Sequence, residues 1–532
     1  MVSANPVNSY FYFSFRLFAC DIWPSECSKQ ESGRGLLLEE ELKEKAKEGA
    51  FWGTFGAFLQ EGLLFIFGII MGRLILSEEF GLFSTVSIYT NIGSIILQLG
   101  LPVALIQRKA LSDAHIKTAY TATLTMAALL ILLMWAASPW LARAYGNPQM
   151  GPVVIVASLI FFFNAAYGIP NALLTRHFQF KRLTIISFAA VFLSGTIAVV
   201  MAAHGFGVWS LVESAVGFSA VICIPAIWLC GWRPRLGFNR QAYADLARLG
   251  TTVMFSNLVL LLSQNADQLV ISGTLGFGLF GLYGRAYGLI ILPLQKVSTL
   301  VDYVAFPAYT KIQDQPELLK SWYLKSSLIL AVSTYPMIAG LAIVAPEFLP
   351  VIFGAHWIGA ALPMRILGIA TLIMMIHMMA GSVFVAMGQA RAYFICQVIR
   401  LILMTVSAWL GSRWGLAGVC WAVCVGNLFY FIVVQRFVSN LLKVSMVKVL
   451  QNIWPPLALT GTMIAAVLAG RLLLFRVWNP SPLVALGVSL LVGVTSYGAA
   501  VILMGFKEVQ DIYSNFWEEF KKRILRREGS PR

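Results

Sequence analysis

Four cations stand where long apolar runs surround them: Arg285, inside "GLFGLYGRAYG" at 278–288, and Lys296, Arg365 and Arg400. Glu61, Asp267, Asp302 and His377 lie in comparable surroundings, and Gln60, Asn91, Gln98, Gln264 and Asn265 add neutral hydrogen-bonding groups. Polar side chains in such runs are expensive to bury, so they pair with one another or line a wet cavity. The chemistry open to this set is binding rather than bond-making. A guanidinium presents a planar fork of donors to an anion, and an acid or an imidazole can carry a coupling ion. No paired-carboxylate site and no phosphate-binding glycine loop occurs, which argues against a membrane glycosyltransferase or polymerase and against a nucleotide-driven pump.

Most of these residues have two readings. Arg285 lies about six residues inside the end of its apolar run and Asp267 about six inside the end of the preceding one. An antiparallel hairpin therefore puts both roughly 9 Å deep at 1.5 Å per residue. They can form an ion pair that pins the hairpin, or Arg285 can face a bound anion. Lys296 is nearer mid-run, with no acidic neighbour on its own helix within one turn. It faces a bound anion, snorkels to the headgroups or pairs with Glu61. Arg365 either reaches the outer headgroups or lines a cavity, and Arg400 has a scaffold role or a cavity role. Glu61 and His377 can carry a coupling proton, although a lone intramembrane histidine can equally be a packing residue. Asp267 and Asp302 complete the ion-coupling candidates. Pro293 should bend the chain just before Lys296.

The elements that position these groups follow from composition. Hydrophobic residues make up 58% of the 532 and charged residues 12%, whereas soluble domains carry about 25% charge. With a mean hydropathy of +0.77, the chain is an all-α integral membrane protein. About fourteen apolar windows of roughly 20 residues, each the length of a bilayer-crossing helix, run from residue 50 to 505. The net charge of +15 does not signal nucleic acid, because the Lys and Arg alternate by side. Roughly 30 of the 39 fall in loops sharing a face with the N-terminus, which predicts cytoplasmic termini and contact with anionic membrane lipids.

Residues 1–49 show no signal peptide, and "LLEEELKEKAKEGA" predicts a short helix on the cytoplasmic surface. Seven cysteines form no metal or redox motif; Cys420 and Cys424 share a helix face without a further ligand. Neither metal nor cofactor is expected. Internal repetition is more informative. "EEFGLFSTVSIY" (78–89) is echoed by "GLFGLYGRAYGL" (278–289), "SPWLARAYG" (138–146) by "APEFLPVIFG" (345–354), and "GFGVWSLV" (205–212) by "GLAGVCWAV" (415–423). Six spans per repeat imply two parallel repeats. The expected organisation is an N-terminal segment (1–49), an N-lobe (50–232), a C-lobe (233–445), spans thirteen and fourteen (446–506) and a basic tail (507–532).

In order along the chain, "GRLILSEEFGLFS", "LGLPVALIQRKALSDAH", "SQNADQLVISGTLG", "GLYGRAYGLIILPLQ" and "FPAYTKIQDQPELLKSWYLKS" resemble the Wzx-type polysaccharide and lipopolysaccharide exporters. These belong to the multidrug/oligosaccharidyl-lipid/polysaccharide exporter superfamily. The resemblance covers roughly residues 40–510. It implies a V-shaped two-lobe transporter in a bacterial inner membrane that flips undecaprenyl-pyrophosphate-linked oligosaccharides to the periplasmic leaflet. The implied partners are the lipid-linked substrate, membrane lipids, and a polysaccharide polymerase with its export machinery. A multidrug antiporter of the same superfamily remains the alternative, and a membrane glycosyltransferase or polymerase a weaker one. A cation antiporter calls for an acidic cavity, whereas this set is balanced to basic.

Overall fold

The computed structural model of the chain describes Trp52 and residues 56–108, 111–477 and 480–511. The expected surface helix before residue 50, Cys20, Cys27 and most of the basic tail lie outside the described residues. The chain divides into two compact units at Gly284/Arg285.

The first unit holds α1 (Gly56–Leu74), α2 (Ser77–Gln98), α3 (Leu101–Gln107), α4 (Asp113–Ala144), α5 (Met150–Ala157), α6 (Ile160–Arg176), α7 (Phe180–Ala203), α8 (Val208–Leu229) and α9 (Arg240–Thr274). It also holds the first turns of α10 (Gly276–Lys311). The second holds the rest of α10, then α11 (Pro316–Phe353), α12 (Ala361–Met378), α13 (Ala380–Ala386), α14 (Ala390–Gly411), α15 (Gly415–Leu442), α16 (Met446–Val477) and α17 (Pro482–Leu503). Helices dominate because hydrocarbon offers no partner to a backbone N–H or C=O. Their starts are marked by side-chain caps and early prolines: Asn239 accepts from the Ala242 amide at 3.0 Å, and Pro102, Pro316 and Pro482 occupy first turns. Phe58, Trp228 and Leu503, each more than 80% exposed, show the outward apolar faces that lipid covers.

Twelve helical stretches among the described residues are long and apolar enough to cross a membrane, and one of them, Ala390–Leu442, contains both α14 and α15. α9 is not among the twelve. Its run Ser263, Gln264, Asn265, Asp267 and Gln268 lowers its hydropathy, so length and apolarity alone do not reach the expected fourteen.

The sequence echoes have backbone counterparts. Gly146 ends α4 and Gly354 ends α11, both with positive φ; Gly207 and Gly415, also at positive φ, begin α8 and α15. The first echo is a contact. A Cβ on Gly81 would lie 1.9 Å from the Phe277 carbonyl oxygen, and one on Gly281 1.8 Å from that of Ser77. The starts of α2 and α10 thus cross at a distance only glycine allows, a small-residue packing of the kind that joins helices in membranes. At the other end of α2, a Cβ on Gly250 of α9 would meet the Leu99 carbonyl oxygen at 2.3 Å.

In the second unit α16 and α17 dock on α11 through Leu328, Val332, Leu459, Met463, Val467 and Tyr497. Polar contacts reinforce the apolar seam: Arg471 donates to Glu347 at 2.5 and 3.0 Å and to the Ile343 carbonyl at 3.2 Å. Both side chains are mostly shielded, so Glu347→Ala leaves a charge stranded. The expected loss is about 3 kcal/mol, read as a lower melting temperature in detergent. Replacing both residues by leucine should recover most of it. An unchanged melting temperature in Glu347→Ala would rule out a structural role for the pair.

Candidate functional site

In the first unit, Asp267 is buried on α9 and accepts a hydrogen bond from the hydroxyl of Tyr283, itself fully buried at the start of α10. One turn of α9 therefore carries a carboxylate whose orientation is set by the second copy of the repeated motif. Asn265 is half-buried and donates to the Leu261 carbonyl at 2.8 Å; Gln264 is exposed. On α1, Gln60 is buried and Glu61 exposed, and on α2 Asn91 and Gln98 are half-buried.

In the second unit, Arg285 answers to aromatic rings. Its guanidinium carbon lies 4.5 Å from the Phe353 ring centroid and 4.9 Å from that of Trp357. Both rings are almost fully buried. A ring face is electron-rich, so the two hold the cation. Phe353 ends α11 and Trp357 follows the Gly354 bend, so the turn that closes the "APEFLPVIFG" echo also builds the aromatic seat. Lys296 is exposed on α10, three residues beyond Pro293, and Arg365 is exposed on α12. Asp302 is half-buried and accepts from the Ser382 hydroxyl at 2.5 Å.

His377 and Arg400 come together. They project from α12 and α14 onto Tyr430 of α15, whose ring stands edge-on to the imidazole at 4.9 Å and 5.6 Å from the Arg400 guanidinium. Both are buried.

Several neighbours were not foreseen in the sequence: Tyr283 for Asp267, Phe353 and Trp357 for Arg285, Ser382 for Asp302 and Tyr430 for Arg400. Glu213 was also missed. It lies on α8 with Oε2 shielded and, among the described residues, without a hydrogen-bond partner. A single glutamate in an apolar window is a readable signal, as it was for Glu61. Of the cysteines, Cys223, Cys396, Cys420 and Cys424 are buried, and Cys424 donates to the Ile366 carbonyl at 3.2 Å. No group of three His, Cys, Asp or Glu side chains able to hold a metal occurs among the described residues.

Chemically the second unit offers exposed cations at Lys296 and Arg365, an aromatic-seated guanidinium at Arg285 and a hydrogen-bonded carboxylate at Asp302, and the first unit a hydrogen-bonded carboxylate at Asp267. That is suited to receiving and releasing an anionic group. The family described as "Polysaccharide biosynthesis protein" matches residues 70–362. The chain is 25% identical over 413 residues to the lipopolysaccharide biosynthesis protein WzxC of Escherichia coli (strain K12), covering 76% of this chain and 82% of that one. It is 23% identical over 425 residues to the teichuronic acid biosynthesis protein TuaB of Bacillus subtilis (strain 168), covering 79% and 88%. Among solved structures, the lipid II flippase MurJ in an inward closed conformation superposes with a TM-score of 0.69 at 12% identity. The superposition covers 85% of this chain and 98% of that one, a likeness of fold.

Proposed function

We propose that this chain, which belongs to the polysaccharide biosynthesis protein family, is a polysaccharide exporter that flips undecaprenyl-pyrophosphate-linked oligosaccharide from the cytoplasmic to the periplasmic leaflet. It is a transporter, not an enzyme. Relatives named for lipopolysaccharide and teichuronic acid biosynthesis support the cargo class. The observation that carries the reading is the cation set of the second unit, with Arg285 seated on Phe353 and Trp357 and with Lys296 and Arg365 exposed. A pyrophosphate-sugar headgroup crosses hydrocarbon only if its charge is compensated and its hydroxyls stay hydrated or bonded. Lys296 and Arg365 attract the headgroup, Arg285 receives it with two parallel donors, and the polyprenyl tail stays in lipid. Gln60, Asn91, Gln264 and Asn265 offer bonds to sugar hydroxyls, and Glu61, Asp267, Asp302 or His377 carries a coupling ion. The site is exposed to one leaflet at a time, and a polymerase and export machinery consume the product.

A cationic drug as cargo would need an acidic set. Arg285, Lys296, Arg365 and Arg400 against Glu61, Asp267 and Asp302 do not supply one. Purified protein should therefore bind undecaprenyl-pyrophosphate-linked glycan at least about tenfold more tightly than undecaprenol, and lipophilic cations should not compete. Equal affinity for the two lipids would contradict the headgroup reading.

Orientation belongs to the same proposal. With both termini cytoplasmic, as the distribution of Lys and Arg suggests, a lone cysteine at Ser112 or Gln313 should resist impermeant thiol reagents in intact cells. One at Asn147 should react. Labelling at Ser112 before permeabilisation would invert the assignment.

A further inference from the structure

Arg400 stands out among the buried cations. It lies midway along α14, only 9% exposed, where an uncompensated charge is among the most costly things a membrane protein can hold. Among the described residues it forms no ion pair. Its contacts are the Met374 sulfur, 3.9 Å from Nη2, and the Tyr430 ring, while its Nε is fully shielded with no hydrogen-bond partner. Beside it His377, 7% exposed, leaves both Nδ1 and Nε2 without a partner. Asp302, a carboxylate of the same unit, accepts from the Ser382 hydroxyl.

Two buried basic side chains from two helices that both pack on α15, with unsatisfied N–H groups and a shared aromatic neighbour in Tyr430, describe the lining of an anion site. We infer that Arg400 and His377 hold a halide ion, chloride in the cell, inside the second unit. One negative charge neutralises the guanidinium, and one acceptor serves both Arg400 Nε and a ring nitrogen of His377. The burial of both side chains argues for a single-atom anion rather than a glycan-bearing pyrophosphate. The ion ties α12 to α14 and gives the unit a stability that depends on halide concentration. This inference goes beyond the cargo reading and stands without it.

The test is thermal unfolding of the purified full-length protein in detergent, with potassium gluconate replaced stepwise by potassium chloride or bromide at constant ionic strength. Wild type should show a saturable rise in melting temperature of about 3 °C. Arg400→Gln should lose the response, His377→Gln should need several-fold more halide, and Arg391→Gln, an exposed cation on the same helix, should respond as wild type. Should Arg400→Gln not fold, bromide-soaked wild-type crystals should give an anomalous peak between the Arg400 guanidinium and the His377 ring. A wild-type melting temperature indifferent to halide, a response that persists in Arg400→Gln, or a bromide peak elsewhere with none here would overturn the assignment.

Discussion

Export is expected to fail in Gly281→Ala and in Gly81→Ala although both proteins reach the membrane. The methyl added at Gly281 would lie 1.8 Å from a backbone oxygen of Ser77, and the one at Gly81 1.9 Å from that of Phe277. Neither obstacle is a side chain that can rotate away, so the two helix starts must separate. Overpacking of this kind costs about 1–3 kcal/mol, too little to unfold most proteins. It is ample to depopulate one conformation of a transporter, because about 2 kcal/mol shifts an equilibrium roughly thirtyfold. Gly278→Ala and Gly288→Ala are the controls: nothing lies within 4 Å of a Cβ at either position. Both exchange a poor helix former for the best one, so export should be retained. If Gly281→Ala exports as well as Gly288→Ala, the close crossing of α2 and α10 has no part in transport.

The second large effect concerns the cations. Lys296→Ala and Arg285→Ala should each lower export at least about tenfold at normal membrane levels, since each removes a charge that offsets the headgroup's own. The conservative variants should separate. Lys296 is exposed and needs only its charge, so Lys296→Arg should restore export. Arg285 lies against the rings of Phe353 and Trp357, and an ammonium cannot reproduce a guanidinium's paired donors. Arg285→Lys should therefore stay close to Arg285→Ala, and Trp357→Leu should follow it in part. Wild-type export by both alanine variants would remove the two residues from the mechanism.

Much of this arrangement was legible in the sequence because membranes make simple demands. Apolar windows of bilayer length become helices, and polar residues inside them stand out. The repeat was readable as well, and the pairing of Gly81 with Gly281 across the first echo is a finer consequence of it: the matching motifs touch. The partners of the charges were not legible. Asp267 meets Tyr283, sixteen residues on, and Arg285 meets Phe353 and Trp357 across about seventy residues. Such encounters depend on helix rotation, and in lipid the polar and apolar faces that would reveal it are blurred, since both core and lipid surfaces are apolar. Arg471 and Glu347 escaped for a related reason: each lies towards the end of its helix, where a charge is ordinarily taken to snorkel. α9 shows the converse. Its polar turn is readable in the sequence, and α9 is not among the twelve stretches long and apolar enough to cross a membrane.

The account stands or falls on which leaflet holds the cargo. In cells deleted for this protein, radiolabelled undecaprenyl-pyrophosphate-linked oligosaccharide should accumulate at the cytoplasmic face. It should resist a periplasmic glycosidase until the membrane is permeabilised, and a plasmid copy of the wild type, but not of Gly281→Ala, should restore both turnover and accessibility. Lipid-linked intermediate that reaches the periplasmic face at the wild-type rate in the deletion strain would contradict the central claim.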